Sequence, residues 1–208
     1  MLGRVPLLLV ALLALSAPSL GAQSGSGRWS LSLDLHLSRF GAAAQDTTAA
    51  AAAEGTAGSL RPSAGAGLGV TLARDFGGWS AALSAGYLPA NVEAATDAAA
   101  LRSNVDRFDR VRSVVLLGRE VAAVGAGRLA VRAGPTLDTW FLPQMDRRTV
   151  VGGVAQLGLA FPAGPVAWEN VLGVTWSPGP IREVELPEGF ARRALVGVEL
   201  GARVRFGL

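Results

Sequence analysis

The chain has 208 residues, half of them apolar and only 17% charged. Its mean hydropathy is +0.36. The net charge of +3 comes from arginine alone, with no lysine, a single histidine and no cysteine. That composition excludes a disulfide framework, a thiolate metal site, a lipidated N-terminal cysteine and a His-rich metal site, so no metal or cofactor is expected. The arginines stand singly or in pairs, never in a basic block, which argues against a nucleic-acid partner.

Residues 1–22 read as an address. Met1 to Arg4 form a short charged start, Val5 to Leu15 an apolar stretch, and Leu20-Gly21-Ala22 ends in a small residue suited to signal cleavage. Cleavage after Ala22 leaves a domain of residues 23–208. A permanent anchor helix is disfavoured, because the stretch is short and Pro6 and Pro18 flank it. Beyond it, no apolar run approaches the ~18 residues of a spanning helix.

From Arg28 the apolar period becomes two, the signature of a strand. Trp29, Leu31, Leu33, Leu35 and Leu37 share one face, and Ser30, Ser32, Asp34, His36 and Ser38 the other. The same alternation recurs over 62–75, 78–88, 108–121, 127–141, 148–161, 166–177 and 192–208. The joints alternate in length. Asp75-Phe76-Gly77-Gly78, Ala122 to Ala126, and Pro162-Ala163-Gly164-Pro165 are short. Residues 41–61, 89–107 and 178–191 are long, and 142–147 is intermediate. Antiparallel strands crossing a membrane give this pattern, with tight periplasmic turns and longer external loops. The expected fold is all-β: an eight-stranded antiparallel up-and-down transmembrane barrel.

The aromatic residues argue for lipid outside the barrel. All thirteen fall at predicted strand ends or in joints. Trp29, Phe76, Trp79, Phe161, Trp168 and Phe206 lie at the predicted periplasmic end. Phe40, Tyr87, Phe108, Trp140, Phe141, Trp176 and Phe190 lie at the other. Such rings suit headgroup level. Trp79 to Tyr87, and Trp168 to Trp176, span roughly 26 Å along a strand, near the height of the apolar band. Ten of these residues are candidate interface anchors: Trp29, Phe40, Trp79, Tyr87, Phe108, Phe141, Phe161, Trp168, Trp176 and Phe206.

The polar face carries sparse charge among Gly and Ser, as the filled lumen of a small barrel would. The candidate network begins with Asp34, His36, Arg112, Glu120 and Arg128. It continues with Arg132, Asp138, Glu169, Glu199 and Arg203. Neighbouring strands predict Glu120 with Arg128 or Arg132, Arg112 with Asp138, and Glu169 with Arg203. Asp34 and His36 should face Glu199 and Arg203. Such a network either holds the barrel shut or forms a gate.

The chain ends Val204-Arg205-Phe206-Gly207-Leu208, which resembles the C-terminal assembly signal of outer-membrane barrels, although the aromatic stands third from the end. That likeness implies the barrel insertion machinery as a partner. Residues 28–208 as a whole resemble the small outer-membrane barrels of the OmpA, OmpX and OmpW kind. The resemblance is architectural. It implies a fold and a place, the outer membrane of a Gram-negative bacterium, with a periplasmic N-terminus and contacts to outer-membrane lipid and lipopolysaccharide. It implies no activity.

The expected role is non-enzymatic, with loops 41–61, 89–107 and 178–191 at the cell surface for adhesion, ligand binding or envelope protection. Two alternatives stay open. One is a narrow, porin-like passive channel for small or apolar solutes. The other rests on His36-Leu37-Ser38, which resembles the His-x-Ser of lipid A deacylases of the PagL type. That resemblance implies His36 and Ser38 as the reacting pair, with Asp34 or Glu199 orienting the imidazole. The pair shares its face with Asp34, so it points to the lumen rather than to lipid.

Overall fold

The computed structural model describes residues 28–48, 58–95, 100–142, 147–186 and 188–208, without the side chains of 95 and 100–107. The signal segment 1–22 lies outside the described residues. Eight strands close into a barrel: β1 (Arg28–Phe40), β4 (Gly65–Phe76), β5 (Trp79–Leu88), β8 (Asp109–Val124), β9 (Gly127–Phe141), β10 (Arg148–Ala163), β11 (Val166–Ser177) and β13 (Leu195–Gly207). Around the wall they run β1-β13-β11-β10-β9-β8-β5-β4, and every pairing is antiparallel. Closure pairs Ser30 with Gly207 through to Phe40 with Gly197. The Leu208 amide adds a bond to the Trp29 carbonyl at 2.9 Å.

The tight joints fall where expected. Gly77 and Gly78 both have positive φ, at 60° and 83°, the backbone a two-residue primed hairpin turn requires. Strand β10 runs through Pro162 to Ala163, two residues past its expected end. Proline is tolerated there because β9 pairs β10 only as far as Ala160, so no partner needs the missing N–H. In β8 a register shift between Glu120 and Ala122 marks a bulge just before the turn.

The long joints, expected from sequence to be plain loops, carry strands instead. They contribute β2 (Ala44–Asp46), β3 (Ser59–Pro62), β6 (Asn91–Ala95), β7 (Ala100–Arg107) and β12 (Phe190–Arg192). These form a second, five-stranded sheet in the order β12-β2-β3-β6-β7. The physical reason is that chain leaving the barrel rim still carries backbone donors and acceptors, and adjacent excursions satisfy one another. A 3-10 turn at Glu183–Glu185 lies in the third excursion.

Orientation follows from alternation. Leu35, Leu83, Leu117 and Leu200 on the outer wall are each more than half exposed. Thr71, Asp138 and Glu169 on the inner wall are about 1% exposed. A continuous belt of bare leucine and valine of this size is unsuited to water and suited to hydrocarbon.

Candidate functional site

The lumen is filled in layers. Depth can be read along β1, where Phe40, Ser38, His36, Asp34, Ser32 and Ser30 point inward in descending order from the rim of the second sheet.

The top layer is an aromatic plug. Phe40, Phe108 and Trp140 are buried with Leu88, Leu142 and Leu195. Phe40 and Phe108 each meet the Trp140 ring edge-on, with centroids 5.9 and 6.1 Å apart. This corrects two predicted interface anchors, Phe40 and Phe108, and the placement of Trp140 in the same outer ring. Phe40 and Trp140 sit on the inward parity of their strands, with His36 and Ser38 and with Thr136 and Asp138, and Phe108, one residue before β8, keeps the inward parity of Arg110 and Arg112. Their place at strand ends suggested headgroups, but their parity sends them indoors. Trp29, Trp79, Tyr87, Phe141, Trp168 and Trp176 are exposed on the outer wall, and Phe161 and Phe206 are half-buried.

Beneath the plug lies the first ion layer. The Arg110 guanidinium, 1% exposed, lies 5.0 Å over the Phe40 ring and 5.6 Å over Trp140. From there it donates to Glu199 Oε1 at 2.9 Å. Arg112 donates to the same oxygen at 2.8 Å and grips Asp138 with a fork, at 2.6 and 2.9 Å. Two parallel bonds of this kind fix geometry as well as charge. Sequence reasoning left Arg110 out of the network, although its parity with Arg112 carried the signal.

The second ion layer sits nearer the tight turns. Arg203 donates to Asp34 at 2.7 Å and to Glu169 at 3.3 Å, and Arg132 donates to Glu169 at 2.5 Å. Thr71 donates to Asp34 at 2.5 Å, another contact unforeseen from sequence. The two layers together set four guanidiniums against four carboxylates. The expected pairs Arg112 with Asp138, Glu169 with Arg203, and Asp34 with Arg203 are brought together. Arg132 goes to Glu169, not to Glu120. Glu120 meets Arg128 at 3.3 Å at the exposed mouth, outside the sealed layers.

Between the ion layers is a cavity of about 60 Å³, lined by His36, Arg110, Arg112, Gln156 and Glu199 among others. It has room for roughly four waters at ~15 Å³ each. His36 fits against Gly67, where an added Cβ would fall 2.3 Å from its Nε2.

Among the described residues no hydrogen bond joins Ser38 to His36. The Ser38 hydroxyl is 2% exposed and donates to Glu199 at 3.3 Å. Both side chains face the lumen, behind the barrel wall. Among the described residues no cluster of His, Asp or Glu is arranged to hold a metal ion.

The chain matches no protein-family model, and no curated protein is similar to it in sequence. Solved structures are similar in shape. Neisserial surface protein A superposes with a TM-score of 0.58 at 10% identity, covering 86% of this chain and 96% of that one. AlkL, determined in lipid bilayers, gives 0.62 at 13%, covering 92% and 95%. OprG from Pseudomonas aeruginosa gives 0.54 at 11%, covering 87% and 96%. The chain has the fold of a small eight-stranded outer-membrane barrel. At these identities the likeness speaks of fold alone, and activity has to be argued from the lumen and the surface.

Proposed function

We propose that this protein resides in a bacterial outer membrane as a sealed, non-enzymatic barrel that displays its five-stranded sheet at the cell surface. One observation carries the reading. The lumen is closed twice, by matched ion layers and by the Phe40-Phe108-Trp140 plug, while the structured surface lies above it. A conducting pore needs a connected wet path, and an eight-stranded wall already leaves only side-chain room. The projecting sheet packs against the plug's apolar core through Val92 of β6, so it is anchored rather than tethered. A rigid scaffold that presents its connections is how barrels offer binding surfaces.

Planar-bilayer recording of the purified mature protein tests this, and a silent membrane is the expected result. Sustained unitary currents would instead support the narrow channel. Because the chain has no cysteine, display can be tested by single substitutions. Val184→Cys, at a site 90% exposed in the third excursion, should react with an impermeant maleimide on intact cells. Ala126→Cys, in a tight turn, should react only after lysis. The reverse pattern overturns the orientation.

A further inference from the structure

The lipid-facing wall is not uniformly apolar. Near the tight turns it carries two arginines, Arg74 on β4 and Arg119 on β8. Both are on outward parity, with Leu72 and Leu117, and both are exposed. Their guanidiniums lie over tryptophan rings, Arg74 over Trp29 and Arg119 over Trp79, each 5.4 Å from the ring. Every guanidinium of the two sealed lumen layers has a carboxylate, yet neither Arg74 nor Arg119 has one among the described residues.

The two arginines flank strand β5. Arg74 pairs with Ala81, and Arg119 with Trp79. That places their Cα atoms roughly 12 Å apart, two strand spacings across and two residues along. Beside Arg74 the wall sinks into a trough of about 600 Å³, with Ala81 at its floor and Trp29, Leu72, Phe76 and Leu83 along its sides. That volume falls within the ~300–1,000 Å³ of ligand sites. The trough runs from a cation at girdle height toward the middle of the apolar belt.

A cation at headgroup level above an apolar trough has the two-part chemistry of one molecule, an anionic head joined to a hydrocarbon chain. We infer that Arg74 and Arg119, with the trough between Trp29 and Leu83, form a binding site for an anionic phospholipid of the periplasmic leaflet. The phosphate is held by the guanidiniums, pre-set by their tryptophan rings, and an acyl chain lies over Ala81. This inference rests on the membrane placement proposed above.

The probe is phosphatidylglycerol against phosphatidylcholine. The mature protein is folded into vesicles of the two lipids mixed, and quenching of tryptophan fluorescence is compared when one or the other lipid carries brominated chains. The expected result is stronger quenching by brominated phosphatidylglycerol, weakening as salt is raised. Arg74→Gln with Arg119→Gln should cost about fivefold in preference for each guanidinium lost, and Arg74→Lys should retain part of it. Equal quenching by both lipids in the native protein overturns the site, as does a preference that survives the double substitution. Folding is read separately, from the different gel mobility of unheated and boiled protein. Failure of the native protein to insert at all would contradict the membrane placement, whereas insertion without lipid preference contradicts only this site.

Discussion

Strands β8 and β10 run sixteen residues each and are paired on both edges, whereas β2 and β12 of the projecting sheet run three. The barrel interior is cross-braced by buried ion pairs that reach from β1 and β13 to β8, β9 and β11. The projecting sheet has thinner ties, such as Arg61 with Glu93 at 2.7 Å, and Arg148 of β10 holds the 3-10 turn beside it through Glu185. The difference teaches where rigidity is invested. Unmatched charge buried in the lumen carries a large desolvation cost, whereas a part-exposed pair outside the barrel, such as Arg61 with Glu93, is worth less.

The sharpest way to break that contrast is Glu169→Ala. It leaves the buried guanidiniums of Arg132 and Arg203 without their shared carboxylate, and should cost about 3–5 kcal/mol in unfolding free energy. Denaturant unfolding in vesicles measures it. Replacing Glu169 and Arg132 together by leucine should be far milder, because the ion pair leaves as a unit and Arg203 keeps Asp34. A single substitution no worse than the double one would show that the layer is not a balanced network.

A smaller effect is expected from packing. A Cβ at Gly134 would lie 1.8 Å from the Val115 carbonyl oxygen. Backbone cannot step aside cheaply, so Gly134→Ala should lose about 1–3 kcal/mol, read as a lower temperature for loss of the folded gel band. An unchanged temperature would mean that β8 and β9 are more loosely apposed than described.

The smallest effect belongs to the third excursion. Arg148 donates to the Glu185 carboxylate and to the Pro180 carbonyl. Its hydrogen bonds to Glu185 hold that carboxyl below the usual carboxylate range, helped by the Arg182 amide. A depressed carboxylate stabilises above its unfolded value, near ~4.3, and loses that contribution as pH falls through the lower folded value. Arg148→Ala should cost global stability about 1 kcal/mol, the upper end for an ion pair outside the core, because the contact is two-pronged. A nitroxide at Val184→Cys should gain mobility only on acidification below about pH 4. Mobility that rises already near neutrality would assign the turn to other contacts.

How legible each region was follows the same division. Long strands repeat their period enough times to be read, and Trp29 to Leu37 alone display it five times. Their edges fall within about three residues of expectation, since tight turns such as Gly77-Gly78 carry their own chemistry. The second sheet was not legible, because Ala44–Asp46 and Ser59–Pro62 are too short to show a period and lie in alanine-rich, low-complexity chain. The aromatics were half legible. Position along the strand separates Tyr87 and Trp176 from the apolar belt, but only parity tells that Phe40, Phe108 and Trp140 turn inward. Parity also marks Arg74 and Arg119 as outward, a signal that goes unnoticed when charge is sought only on the polar face.

The claim on which all this rests is which face meets hydrocarbon. Nitroxides placed one at a time at Leu83→Cys, Val174→Cys and Thr71→Cys, in the protein folded into vesicles, test it directly. Labels at 83 and 174 should be relaxed strongly by oxygen dissolved in the bilayer and weakly by a water-soluble nickel chelate, while the label at 71 should be shielded from both. A label at 83 or 174 that is buried and dry in a protein left in the aqueous phase would contradict the account.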